Sequence, residues 1–181
     1  VIAEAVAELP AATREPLQTF LSHVADTPFG EIQQHYVAMF DMRRRGCPFL
    51  SYWTDGDTRR RGMAILRFKQ AYQESGYELG DEELADHIAV VLEFAAVGDP
   101  VTGDALLAEH AAPIGLLRDA LQKMGSVYVH VLDAVVATLP AITPAIRARM
   151  AQIAASGPPV EEVGLEPFSA ATDLLTIGAR R

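Results

Sequence analysis

From Thr13 to Ala155 the apolar residues recur at spacings of three and four, and turn signals cut every such run at helical length. Nowhere do they settle into the strict alternation of a half-buried strand. The chain is therefore restricted to packing helices on helices. Leu17, Phe20, Leu21 and Val24 make one stripe within Thr13–Asp26. Thr27-Pro28 is a cap followed by proline at the first helical position, and Phe29, Ile32, Tyr36, Met39 and Phe40 carry the next stripe to a stop near Asp41.

Gly46, Pro48 and Gly56 make residues 42–57 read as a loop, although its run Phe49-Leu50-Ser51-Tyr52-Trp53 is apolar and has to pack on something. A helix follows from Asp57-Thr58 to Gly76, with Ile65, Phe68 and Tyr72 inward. Asp81 is expected to cap a helix with two apolar faces, Leu84, Ile88, Val91, Leu92 and Ala95 on one and Val90, Phe94 and Val97 on the other. Two such faces suit the central helix of a bundle. Asp99-Pro100 opens another helix, broken or restarted by Pro113, and Ile114–Met124 and Ser126–Leu139 give two more. Thr143-Pro144 opens the last, to about Ala155.

At 181 residues this is one all-α domain, with residues 1–156 forming the bundle. Residues 157–181 read as a partly disordered tail, with Leu165-Glu166-Pro167-Phe168 as its anchor. The sequence opens inside a helix-like pattern at Val1 without an initiator methionine, so residues are expected to precede it.

Several function classes drop out on composition. The one cysteine, Cys47, excludes an internal disulfide framework and thiolate-rich metal sites and points to a reducing compartment. No apolar run approaches the roughly 20 residues of a membrane span, and no secretion signal is seen, so a soluble protein is expected. There is no phosphate-binding glycine loop and no HExxH pair among His23, His35, His87, His110 and His130. Neither a metal nor a cofactor of its own is expected.

Charge is segregated. Residues 41–69 carry a net +5 and residues 70–117 a net −10 with no Lys or Arg, within a total of −9. That total disfavours nucleic-acid binding. Two features stand out. Glu83, Asp86 and His87 fall at helical spacing, either as a structural ion pair beside first-turn acids or as a functional cluster. Arg43, Arg44 and Arg45, then Arg59, Arg60 and Arg61, are either offset by an internal salt-bridge network or presented to an anion or partner. Arg61 projects toward the Ile65 and Phe68 face, where an unpaired charge is expensive.

Taken in order, Tyr36-Val37-Ala38-Met39-Phe40-Asp41, Arg43 to Cys47, Gly56 to Ala64, Leu66 to Lys69, and Glu83 to His87 followed by Val90 to Ala95 resemble the delta subunit of respiratory nitrate reductase. These are the NarJ-type chaperones of molybdenum-enzyme assembly, related to the TorD-type chaperones. The resemblance covers roughly residues 13–140; Ala85 stands where the family pattern often has proline.

The resemblance implies an all-α, cytoplasmic, non-enzymatic chaperone. Such a protein binds the N-terminal segment of the apo catalytic alpha subunit before membrane anchoring, and permits insertion of the molybdenum cofactor and an iron–sulfur cluster. A client peptide would lay an apolar face into a groove lined by Tyr36, Phe40, Tyr52, Trp53 and Phe68, with Glu83, Asp86 and Glu93 supplying charge and His87 a pH response. A monomer or weak dimer is expected. Two other readings stay open: a small hydrolase or isomerase using Asp86 and His87, and a helical dimerisation module.

Overall fold

The computed structural model describes residues 1–80, 82–141 and 143–159. Among them are ten α-helices and no strand: α1 (Ile2–Ala7), α2 (Ala11–Asp26), α3 (Phe29–Tyr36), α4 (Leu50–Asp55), α5 (Arg59–Glu74), α6 (Ile88–Glu93), α7 (Pro100–Glu109), α8 (Ala111–Lys123), α9 (Val129–Thr138) and α10 (Pro144–Ser156). Wide π turns extend α3 through Val37–Asp41 and α6 through Phe94–Gly98, and a 3-10 turn spans Arg44–Gly46. The fold is an all-α bundle, as the spacing requires.

The helix boundaries follow local chemistry. Thr58, Asp99 and Thr143 each accept a backbone N–H of the helix they open, which satisfies donors left over in a first turn. Pro100 and Pro144 sit in the first turns of α7 and α10, where a missing N–H costs nothing.

The centre of the bundle is α8. Seven of its residues are buried, from Ala111 through Leu121, and it touches α4, α7, α9, α10 and the 3-10 turn. Leu50, Phe68, Val91, Leu117, Leu121 and Leu132 close the core around it. The break before α8 falls at His110, and Pro113 lies within its first turn. On the outside, α2 buries none of its residues completely and lies along α9.

Two expectations are corrected here. The helix expected from Asp81 starts only at Ile88; Glu82–His87 is not helical, Leu84 is exposed, and Asp81 lies outside the described residues. The reason is tertiary. Leu50 N–H donates to the Asp86 carbonyl at 2.9 Å and Ile88 N–H to the Pro48 carbonyl at 3.0 Å, so this segment pairs with residues 48–50 as a short antiparallel bridge, Phe49 opposite His87. The Asp86 carbonyl and the Ile88 N–H are thus bonded across the chain and not within a helix. The two-faced central helix is thus α8, and α6 is a short helix ending in a π turn.

The second correction concerns residues 42–57, which contain α4. Leu50, Ser51, Tyr52 and Trp53 are all buried, so this helix is covered on every side and shows no stripe to read. Gly56 ends it at φ 61°, a conformation that glycine adopts without strain.

Candidate functional site

The motifs that the sequence keeps apart meet at Asp86. Its carboxylate is fully buried, and its Oδ2 accepts the Ser51 hydroxyl at 2.5 Å. Arg61 Nε lies 3.7 Å from the same oxygen, and Arg61 also reaches Asp57 Oδ1 at 3.1 Å. The guanidinium sits over the Phe49 ring, 5.2 Å from its centre, a cation–π arrangement that shields the ion pair from water. Beside it the Tyr72 hydroxyl donates to the Ala85 carbonyl at 2.7 Å. Burial, and then the charge on Asp86, push the Tyr72 pKa up, so the phenol stays protonated as the donor.

This knot fastens α5, α4 and the Ala85–Ile88 segment together. The internal network is the arrangement that Arg61 adopts, with Asp57 beside it and Asp86 from the acidic stretch. Glu83, by contrast, is exposed and does not share a helix face with Asp86 and His87. His87 caps α6, its Nδ1 accepting the Ala89 N–H at 3.2 Å, and its ring meets Phe49 edge-on. A buried carboxylate tied to a serine and an arginine is suited to holding a fold. Cys47 is half-buried; burial raises its thiol pKa, and its carbonyl accepts the Trp53 indole N–H at 3.1 Å.

The expected aromatic groove divides in two. Tyr52, Trp53 and Phe68 are core residues, 7%, 8% and 2% exposed, and do not form an open wall. Tyr36 is exposed and Phe40 partly buried beside it, where α3 runs into its π turn, with rings 4.8 Å apart. Both pack on Tyr128, at 6.0 and 5.0 Å, and Phe20 and His35 reach the same ring at 5.3 and 5.6 Å. Tyr36 is 41% exposed, and Val37 and Met42 beside it are more so. The Tyr36 pKa is raised by partial burial and then by the negative charges of Asp41 and Glu83. Glu93 is exposed on α6.

Nothing in the sequence pattern singles out Tyr128 as the hub. It stands between α8 and α9, and it finds its partners more than eighty residues back in the chain. Histidines gather nearby. His35 Nε2 and the buried Ser126 hydroxyl are 2.9 Å apart, and His23 and His130 line the same cleft with Glu31 and Gln122. The His35 pKa is lowered, first by burial and then by His23. Among the described residues no group of His, Cys, Asp or Glu is arranged to hold a metal ion, and no helix is long and apolar enough to cross a membrane.

Of the basic residues, Arg43, Arg44, Arg45, Arg59 and Arg60 are exposed, and Arg61 alone turns inward to the knot.

Known proteins are similar to this chain in sequence. The chain is 43% identical over 103 residues to the nitrate reductase-like protein NarX of Mycobacterium tuberculosis, a match covering 57% of the chain and 16% of that protein. It is 29% identical over 126 residues to the probable nitrate reductase molybdenum cofactor assembly chaperone NarJ of Bacillus subtilis, covering 70% of the chain and 68% of the relative. The corresponding chaperone NarJ of Escherichia coli is 29% identical over 128 residues, and there the match covers 69% of the chain and 53% of the relative. The chain thus spans about a sixth of the NarX protein and about half of the Escherichia coli relative. The family model for the nitrate reductase delta subunit matches residues 6–134, a stretch that holds both the Asp86 knot and the Tyr128 wall, and the chain belongs to that family.

Proposed function

We propose that this chain is a chaperone for assembly of a molybdenum-containing nitrate reductase, acting by binding and not by catalysis. It recognises the N-terminal segment of the apo catalytic alpha subunit in the cytoplasm, before that subunit meets its membrane anchor. While bound, it leaves the client open to insertion of the molybdenum cofactor and an iron–sulfur cluster. It works as a monomer or weak dimer, and residues 1–156 are the working domain. Family membership and two relatives named as molybdenum cofactor assembly chaperones support the reading.

The observation that carries the choice of surface is the partly exposed aromatic wall of Tyr36, Phe40 and Tyr128, whose Tyr36 feels the charges of the exposed Asp41 and Glu83. Half-exposed rings rimmed by carboxylates suit a helical segment with one apolar and one basic face. Apolar contact supplies affinity and the acids set orientation. Such a surface also lets the client leave, because its rim charges stay hydrated.

Calorimetric titration of the chain with a peptide of the first roughly 20 residues of the alpha subunit from the same source, about five helical turns, tests this. Saturable one-to-one binding that weakens in Tyr36→Ala but not in the distant Leu66→Ala is the expected result. A peptide that binds equally well in scrambled order, or not at all to a folded chain, overturns it.

A further inference from the structure

Outside the Tyr36 wall, two sets of exposed apolar side chains sit among charges of opposite sign. On α5, which packs inward through Phe68 and Tyr72, Met63 is 61% and Leu66 43% exposed, and both lie between the exposed Arg60 and Arg67. Spacings of three and four put these four on one outward stripe. Beyond the end of that helix Tyr77 is 43%, Val97 71% and Val101 81% exposed, with the exposed acids Glu78 and Asp104 on the same segments. Arg60, Arg67, Glu78 and Asp104 have no ion-pair partner among the described residues.

The two sets are joined end to end. Ser75, which closes α5, donates its hydroxyl to Asp99 at the start of α7 at 3.1 Å, and the Tyr77 hydroxyl donates to the Val97 carbonyl at 3.3 Å. α7 itself packs on α6, on the π turn that extends α6, and on α8. The molecule therefore has an edge that is basic and apolar toward Arg60 and acidic and apolar toward Asp104.

Such an edge is complementary to itself turned end for end, whereas a different partner would have to match both signs at once. Measured along the helices at roughly 1.5 Å per residue, Arg60 lies about 15 Å from the exposed Gln70. The steps from Gln70 to Ser75 and from Asp99 to Asp104 together also come to about 15 Å. Both arms have the same length, which is what a two-fold axis at Gln70 requires.

We propose that two copies of this chain pair through this edge about a two-fold axis at Gln70. Arg60 and Arg67 of each copy meet Asp104 and Glu78 of the other, and Met63 and Leu66 pack on Val101, Val97 and Tyr77. A contact of this symmetry closes at two copies. Few apolar groups and well-hydrated charges hold it, so it is weak and loosens as salt rises. The contact rests on the weak-dimer reading proposed above, gives it a surface, and uses no residue of the Tyr36 wall.

Sedimentation equilibrium of the full chain over a range of concentrations tests this, with two paired charge reversals. Arg60→Glu with Arg67→Glu makes both ends acidic, and Glu78→Lys with Asp104→Lys makes both basic. All four positions are exposed, and a glutamate in the first turn of α5 agrees with the helix dipole, so helicity should be kept. The unaltered chain should move from the mass of one chain toward that of two, each variant alone should stay at one, and their equimolar mixture should recover the dimer. A chain that stays single up to about millimolar concentration, typical of the weakest specific contacts, overturns the proposal. So do a dimer that survives both reversals, a mixture that fails to recombine, growth past two copies, and a dimer dispersed by Tyr36→Ala. In a Cys47→Ala background, Gln70→Cys should also cross-link two copies under mild oxidation faster than Gln18→Cys on α2, because the axis sets the two thiols opposite each other; equal rates count against the axis. Titration of the dilute chain with the client peptide separates the two readings, since one-to-one binding without any dimer sinks the edge and leaves the chaperone standing.

Discussion

Arg61→Met strands a carboxylate that has no route to water. Asp86 is fully buried, and the serine hydroxyl alone cannot balance its charge, so the variant should lose about 3–5 kcal/mol of stability. Asp86→Asn should cost less, about 1–3 kcal/mol, since Arg61 keeps Asp57 and the Phe49 ring. Urea denaturation ranks the two, and the reverse order would show that Arg61, not Asp86, is the group in need of its partner. His35 makes a second prediction. Its pKa is below the ordinary 6.5, so the unfolded chain binds the proton more tightly. The stabilisation is complete above the unfolded value and is lost as pH falls through the folded one. Stability should therefore fall as pH drops below about 6.5, the ordinary histidine value, and His35→Gln should flatten that slope. At this scale the sequence was informative about Arg61, whose inward direction follows from its spacing to Ile65 and Phe68. It singled out Asp86 as part of an ion pair or a functional cluster but did not show its partners, because Ser51 lies 35 residues away and Arg61 25 away.

At the scale of elements, α5 starts against its own dipole, with Arg59, Arg60 and Arg61 in the first turn. Thr58 makes that start possible. Its hydroxyl donates to the Asp55 carbonyl at 2.8 Å and accepts the Arg60 N–H at 3.2 Å. Thr58→Ala should cost about 1 kcal/mol, read as a shift of the urea midpoint. Gly56→Ala should cost more than about 1 kcal/mol, since it meets both a positive φ and the Pro159 carbonyl. A neutral result there would mean that residues 157–159 are not held against α4. Helices with one apolar stripe, such as α3 and α5, are legible in sequence because the stripe records a single contact face. α4 is not legible, since burial all round erases the stripe. The segment before α6 misleads for a different reason: Glu82–His87 has helical spacing, but its end is paired with residues 48–50 through the Asp86 carbonyl and the Ile88 N–H.

For the whole molecule, the prediction is that client affinity and stability come apart. Tyr36→Ala should weaken peptide binding by roughly tenfold, the usual cost of removing an aromatic anchor, while helicity by circular dichroism stays unchanged. Glu83→Gln should leave most of the affinity and reduce its dependence on salt. If both variants instead unfold the chain, the wall is part of the core and the client binds elsewhere. The placement of the wall was half legible. Tyr36, Phe40 and Glu83 could be named from the sequence, whereas Tyr52, Trp53 and Phe68 went to the core and Tyr128 was not visible.

By itself the sequence determined the helical class, most helix boundaries, the segregation of charge and the family. These rest on local relations, namely spacing along one helix, caps within four residues, and motifs in order. Only the tertiary structure decided which helix is central, which aromatics remain at the surface, and that Asp86 is buried in a knot with Ser51 and Arg61. Each of those depends on residues far apart in the chain competing for the same buried space, and helical periodicity carries no record of which competitor wins.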